Sequence, residues 1–297
     1  MTWGGVIAER EGETIMGSEE VKAGVGIGIK RKSKHSAAEN TLRLAACSDL
    51  RRGILIYLDS GKKSLSDLRD GLEVSSTTAI HALRELEKGN LVFQDEDRNY
   101  ALTKIGEVIT LKLADFISAI EVLKKHEDFW LTHDLSGIPP HLLEKIGWLR
   151  DSTLFEDTAT DIFKVHTSFI NLLVNAKKIR GVSSIFVPEY PALFEQLILK
   201  KEADVGLIVT AEVLEKIHKG ILKKIFADKS SKLKLYITTK DVKAAFTVTD
   251  FSLSLGLFHV DGTYDYNRDL VSYDKKAIEW GKELFEWYLK RAERFCS

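Results

Sequence analysis

The chain has 297 residues, enough for two domains with separate cores. Its formal net charge of −1 excludes a polybasic coat that holds nucleic acid through overall charge, so any affinity for DNA must come from one local face. No apolar run approaches the roughly 20 residues that cross a bilayer, and no secretory signal is visible. The two cysteines, Cys47 and Cys296, lack metal-site spacing, and the expectation is a cytoplasmic protein in a reducing compartment.

Residues 1–40 read as a disordered basic arm, because glycine is frequent, charge is high and no period is sustained. Met16 is an alternative start. Lys30, Arg31, Lys32, Lys34 and His35 lie just ahead of the first expected helix, suited to DNA phosphates or to solubility alone.

Residues 41–102 carry the densest pattern. Ile54, Leu55 and Leu58 give the apolar face of a helix over 49–58, with Ser48 or Asp49 as its cap and Asp59-Ser60-Gly61 as its stop. A short helix over 65–71 follows, then a tight turn at 71–74. A third helix starts at Ser75 or Ser76 and ends at Gly89-Asn90, where a left-handed backbone is tolerated. Ile80, Leu83 and Leu86 recur at helical spacing and mark its inner face. Its other face carries Ser76, Thr77 and Thr78 early, then His81, Arg84 and Lys88. Small hydroxyls first and cations later suit a helix whose first turns reach base edges while its later turns reach phosphate or guanine. Residues 91–94 and 99–102 read as two strands around Asp95-Glu96-Asp97-Arg98. The ordered set resembles a winged helix-turn-helix DNA-binding domain. Its wing tip is acidic, leaving Arg98 as the wing's one candidate phosphate contact.

Residues 103–125 are expected to form a linker or dimerisation helix capped by Thr103. Ile109, Leu113, Phe116, Ile120 and Leu123 are spaced four, three, four, three, the repeat of a two-chain seam or of a helix packed on its own second domain. Residues 126–297 then alternate as an α/β regulatory domain. Strands are expected at 182–187, 205–209, 233–238, 245–248 and 252–258. Helices are expected at 162–176, 191–200, 211–226 (broken near Gly220) and 274–295. The fold class is therefore α+β: an N-terminal winged helix-turn-helix plus a C-terminal α/β effector-like domain.

Three further stretches carry a family resemblance. They are Phe129–Leu143, Gly181–Tyr190 (Gly-Val-Ser-Ser-Ile-Phe-Val-Pro-Glu-Tyr) and Gly256–Leu289 with its Gly-Leu-Phe-His-Val-Asp-Gly-Thr-Tyr-Asp. Together with the winged helix they make residues 45–296 similar to the archaeal, methanogen-type winged-helix transcriptional regulators that carry the methanogenesis regulatory protein (FilR-type) middle domain. The resemblance implies a regulator of methanogenesis or methyltransferase genes.

Catalytic chemistry finds little support. His133, His141 and His166 fall on different elements without ligand spacing. Asp261, Asp265, Asn267 and Asp269 resemble a loose cation loop but lack the EF-hand order, so turn chemistry is expected, with no metal and no cofactor. The strand pattern is similar to phospholipase D-like domains, yet no His-x-Lys-x4-Asp occurs, and no phosphate-loop or nucleophile-elbow motif is present. The expectation is not an enzyme but a homodimer on double-stranded DNA, with no membrane partner. A small-molecule effector would meet Trp130, His133, Glu189, Tyr190 or Tyr264. Of these, Trp130 and Tyr264 read slightly better as core residues that anchor loops. The competing reading is a small-molecule binding protein or enzyme whose winged helix mediates only protein contacts.

Overall fold

The computed structural model describes residues 36–239 and 241–295. The basic arm at 30–35, Met16 and Cys296 lie outside them. The fold is α+β, and two cores share it.

The first core is helical. Helix α1 (Ala37–Ala46) is capped by the Ser36 hydroxyl, which accepts from the Glu39 N–H, so the last residues expected in the arm are helical. Helix α2 (Asp49–Asp59) is capped by Ser48. Helix α3 (Leu65–Gly71) has a capping box in which Ser64 and Asp67 satisfy each other's backbone N–H groups. Glu73 takes φ 54° in the turn that follows. Helix α4 (Ser76–Lys88) starts where Ser75 accepts from the Thr78 N–H. Asn90, rather than Gly89, supplies the left-handed residue after it, at φ 56°.

Ile54, Leu55, Leu83 and Leu86 are fully buried, each contributing about 1.5–3 kcal/mol of transfer free energy. Ile80 is only half-buried, whereas Ala79 and Ala82 are inside. Those small side chains let α4 approach its neighbours closely, which a search for large apolar residues passes over. Arg51 on α2 ties the bundle together, pairing with Glu85 of α4 at 2.5 Å and donating to the Leu44 carbonyl at 2.8 Å.

Strands β1 (Val92–Gln94) and β2 (Tyr100–Leu102) form the antiparallel wing, with Phe93 opposite Ala101. Helix α5 (Lys104–Lys125) follows, its Thr103 cap accepting from the Gly106 N–H. The expected seam divides on this helix. Leu113 is buried and Ile109 half-buried in the winged-helix core, while Phe116, Ile120 and Leu123 face outward, with Ile105 and Val108 on the same side. The C-terminal half of α5 docks on the second domain. The Lys125 ammonium donates to the Ser152 carbonyl, and a Cβ on Gly147 would stand 3.0 Å from the Ala119 nitrogen.

Two short helices, α6 (Glu127–Thr132) and α7 (Pro140–Leu143), lead to β3 (Thr153–Glu156) and α8 (Lys164–Asn175). Then come β4 (Lys178–Ser183), α9 (Tyr190–Leu199), β5 (Asp204–Thr210), α10 (Ala211–Lys216), α11 (Lys219–Ala227) and β6 (Leu233–Thr238). The chain closes with β7 (Ala244–Thr249), β8 (Leu253–Leu257), β9 (Arg268–Ser272), α12 (Lys275–Leu289) and β10 (Glu293–Arg294).

Eight strands make one mixed sheet in the order β10-β6-β5-β4-β7-β8-β9-β3. The β4, β5 and β6 strands are parallel; β7, β8 and β9 run as antiparallel neighbours on the far side of β4. On one face, Val182, Ile208, Phe246 and Val248 pack against Trp280, Leu284 and Phe285 of α12. On the other, Ile179, Val205 and Leu207 meet α8, α9 and α11.

Three expected boundaries move. The strand expected at 182–187 is β4 at 178–183, so residues 184–189 form a loop. The helical break falls at Ile217-His218, where the His218 side chain caps α11, rather than at Gly220. The last helix stops at Leu289, and Glu293–Arg294 pairs with β6. The β9 strand was hidden because its Asp269 breaks an apolar run, and β3 because it is half-exposed at the sheet edge.

Candidate functional site

The candidate recognition surface follows from α4. With Ala79, Ala82, Leu83 and Leu86 turned inward, Thr77, His81, Arg84 and Lys88 recur at three- and four-residue spacing on the opposite side, all exposed. Among the described residues, no hydrogen bond or ion pair engages the side chains of Thr77, His81, Arg84 or Lys88. The Thr78 hydroxyl is shared with Ser75 at 2.8 Å, and Ser76 is half-buried. These two are therefore parts of the helix start before they are groove contacts. Arg98 stands at the wing tip with φ 64°, exposed. Lys62 is a cation missing from the sequence reading: it pairs with Asp95 at 2.7 Å and neutralises part of the acidic turn. Only the fold brings α2's trailing loop to the wing, so no local signal marked it.

The second site is a cavity of about 550 Å³ between the sheet and helices α8, α9, α10 and α11. It opens where strand order reverses at β4, outside that strand's C-terminal end, the place where open α/β sheets hold ligands. Most of its wall is apolar, with Phe194, Ile198, Val209, Val213, Ile221 and Leu235 among the lining residues. Gly181 leaves part of the floor bare, and a Cβ there would stand 3.2 Å from the Thr247 hydroxyl.

One end of the cavity is polar. Asp269 of β9 is only 7% exposed, and Ser254 of β8 donates to its Oδ2 at 2.6 Å. Among the described residues no hydrogen bond reaches its Oδ1. Burial pushes this carboxyl up to about 7, against which the Ser254 bond pulls only weakly. Tyr190 stacks on His166 at 5.5 Å and shares a 3.3 Å contact with its Nδ1. Tyr190, Tyr264 and Asp269 line the same cavity; burial raises both tyrosines, and the charge of Asp269 adds to each.

Of the five expected effector residues, Glu189, Tyr190 and Tyr264 line this cavity. Trp130 and His133 do not. Trp130 is a core residue whose Nε1–H donates to the Val122 carbonyl at 3.1 Å. His133 is buried, its Nδ1 meeting the Phe129 carbonyl at 2.6 Å and its Nε2 meeting Asp265 at 3.1 Å. Both belong to the packing that fixes α6. The sequence reading missed Asp269 as a site residue, taking it for turn chemistry. An acid set directly before Leu270-Val271-Ser272 was the signal that it lies in a buried strand.

His133, His259 and Asp265 could hold a metal, since one ligand atom from each lies within 4.8 Å of the others. Asp265 is already satisfied, however. Arg268 donates to its Oδ2 at 2.7 Å and the Asn267 N–H donates to Oδ1 at 3.0 Å; burial alone would raise the carboxyl, but the His133, Arg268 and Asn267 bonds together hold it far below its usual range. The guanidinium stands where a cation would bind. Asp261 and Asp265 make the turn bonds expected of that loop.

These features define a class: a winged helix joined by one continuous helix to an α/β domain that encloses a ligand-sized cavity. Two regions of the chain match family models for the methanogenesis regulatory protein FilR1, the N-terminal domain over residues 39–121 and the middle domain over 162–291. The resembling stretches 181–190 and 256–289 fall inside the second match, and 129–143 lies between the two. A curated relative, the methanogenesis regulatory protein FilR1 of Methanothrix harundinacea (strain 6Ac), is 28% identical over 256 residues, which span 84% of this chain and 57% of the relative. The chain thus spans little more than half the length of that protein. Among solved structures, TrmBL2, an archaeal chromatin protein, is 16% identical with a TM-score of 0.39, covering 87% of this chain and all of its own. The phospholipase D family member Nuc from Salmonella typhimurium is 12% identical with a TM-score of 0.37, covering 49% of this chain and 98% of its own.

Proposed function

We propose that this chain is a sequence-specific, homodimeric transcriptional regulator acting on methanogenesis or methyltransferase genes in the cytoplasm, not an enzyme. The observation that carries the reading is the exposed Thr77-His81-Arg84-Lys88 stripe of α4, presented by a winged helix and engaged by no hydrogen bond or ion pair among the described residues. In the major groove, Ser76, Thr77 and Thr78 stand at the entering end of the helix, and Arg84 and Lys88 reach guanine or phosphate. Arg98 and Lys62 flank the groove from the wing.

The dimer is proposed through α5, where Phe116, Ile120 and Leu123 continue the 3.5-residue repeat on the exposed side. Such a pairing sets two α4 helices on successive major grooves, roughly 34 Å apart, over a near-palindromic site. Helix α5 buries Leu113 in the winged helix and docks its far end on the second domain, giving an effector in the cavity a rigid lever to the DNA-binding face. Domain limits are proposed at 41–102, 103–125 and 126–297. Among the described residues, no helix is long and apolar enough to cross a membrane.

The test is a mobility-shift titration on the promoter region upstream of the chain's own gene, repeated from low to physiological salt. Saturable binding with a steep salt slope supports the reading. Salt-independent binding, or none, favours the alternative in which the winged helix makes only protein contacts.

A further inference from the structure

The cavity's wall says more about its occupant than that it is small. Its lining includes three acids, Asp157, Glu189 and Asp269, and no lysine or arginine among the described residues. Glu189 is exposed at the rim and Asp157 half-buried near it, where its Oδ1 accepts from the Val165 N–H. Asp269 is the deep one, 7% exposed and part of the cavity wall, with one oxygen engaged by Ser254 and the other without a hydrogen bond among the described residues. Aromatic faces surround that end. Tyr190 lies between His166 and Phe169, with centroids 5.5 and 5.3 Å away, and Tyr264 meets Tyr266 edge-on at 4.9 Å. The Tyr264 hydroxyl reaches over Gly256, where any Cβ would collide with it, so the ring is held in place by the sheet.

A buried carboxyl without a cationic partner strongly prefers one when it arrives. Aromatic faces attract the same charge. An anionic ligand would meet the opposite arrangement, with three acids and no counter-charge. Beyond this end, the cavity continues as an apolar chamber under α9, α10 and α11.

We propose that the cavity of the second domain binds a lipophilic organic cation, its charged head set against Asp269 and between Tyr190 and Tyr264, and its apolar body filling the chamber beneath α9–α11. This names the ligand class for the effector reading above, and it is tested without DNA, so its failure leaves the DNA-binding reading standing.

The experiment is calorimetry on the purified chain with three probes that share one tail: decyltrimethylammonium, decanol and decanoate, each below its micellar concentration. The ammonium is expected to bind at least tenfold tighter than the alcohol, and the carboxylate weakest. Asp269→Asn, close to isosteric, is expected to cost the ammonium at least tenfold while leaving the alcohol unchanged. Equal or tighter binding of decanoate, an alcohol that matches the ammonium, an unaffected variant, or no binding of any probe overturns the proposal. Should the variant fold poorly, the wild-type chain still decides. At pH 6 the ammonium is expected to expel a proton from the cavity, read as a heat that varies with buffer ionisation enthalpy, and binding without proton release overturns the assignment to Asp269.

Discussion

Gly106, in the first turn of α5, lies flat against the carbonyl of Leu91: a Cβ there would overlap the Leu91 oxygen and stand 2.9 Å from its carbonyl carbon. The Leu91 carbonyl also accepts from the Thr103 N–H at 3.0 Å. The end of the recognition unit and the start of the linker helix are therefore in direct backbone contact. Gly106→Ala forces the backbone apart and should destabilise the winged helix by about 1–3 kcal/mol, or more where relaxation is blocked. Chemical denaturation reads this directly, and an unchanged midpoint would show that α5 can shift on the wing.

Arg84→Ala should leave the fold intact, because the side chain is exposed and makes no hydrogen bond or ion pair among the described residues. On a specific duplex it should weaken binding by about 1–3 kcal/mol, most where the wild type reads a guanine. Lys88→Ala should instead weaken all sequences alike and flatten the salt slope. Loss of stability in Arg84→Ala, or full retention of affinity, would remove that residue from the role.

The difference between these two predictions mirrors what the sequence could and could not convey. The winged helix is local: Ser64 with Asp67, Ser75 ahead of α4, Thr103 ahead of α5 and Asn90 behind α4 are caps and stops that a few neighbouring residues determine. The cavity is not. It gathers strands β4 to β9 and helices α8 to α11 from the chain between residues 157 and 269, and Asp269 becomes a candidate site residue only because the fold brings Ser254 onto it and two tyrosines from other elements into the same cavity. Trp130 and His133 erred in the same way. An aromatic with a polar tip in a loop-like stretch is consistent with a pocket wall or a buried anchor, and only the Val122 and Asp265 contacts distinguish them. On α5, periodicity was legible, but which half of the repeat meets its own core depended on where the bundle lay.

That half-and-half helix makes its own prediction. Phe116 is 61% exposed and Ile120 44%, so Phe116→Glu and Ile120→Glu should barely alter monomer stability. If α5 is the dimer seam, the pair should convert a dimer to a monomer in sedimentation equilibrium and lower affinity for a two-half-site duplex far more than for one half-site. Leu113→Glu, on the buried side of the same helix, should unfold the winged helix instead. A monomeric wild type would discard the seam.

The Asp265 cluster should behave as a buried ion pair. Arg268 at 2.7 Å, His133 at 3.1 Å and the Asn267 N–H converge on one carboxyl that is almost fully buried. Asp265→Ala leaves the guanidinium without its partner and should cost about 3–5 kcal/mol in denaturant titrations. A loss under 1 kcal/mol would mean that solvent screens the pair.

Asp269 sets the pH dependence with the opposite sign. Its folded-state value is near 7 against an ordinary 3.8, because burial disfavours the charged form. Between those values the folded chain keeps a proton that the unfolded chain has lost, so stability falls as pH rises from about 4 through 7 and then levels. The full effect is on the order of 4 kcal/mol, an upper bound because a hydrated cavity screens the charge. Several other groups pull the other way, His126 and Asp265 among them. Burial holds His126 below its usual value, so its contribution rises with pH on the acid side of neutrality; Asp265, whose carboxyl is held low, adds stability only as pH climbs out of the strongly acid range. Facing Asp269 within the cavity are Tyr190, Tyr264, Glu189, Asp157 and His166, none of them a fixed cation. The clean readout is therefore the stability difference between wild type and Asp269→Asn as a function of pH. The variant should be close to wild type at pH 4 and progressively more stable relative to it up to about pH 7. A flat difference would show that Asp269 is ionised throughout, already compensated by water or by a bound cation.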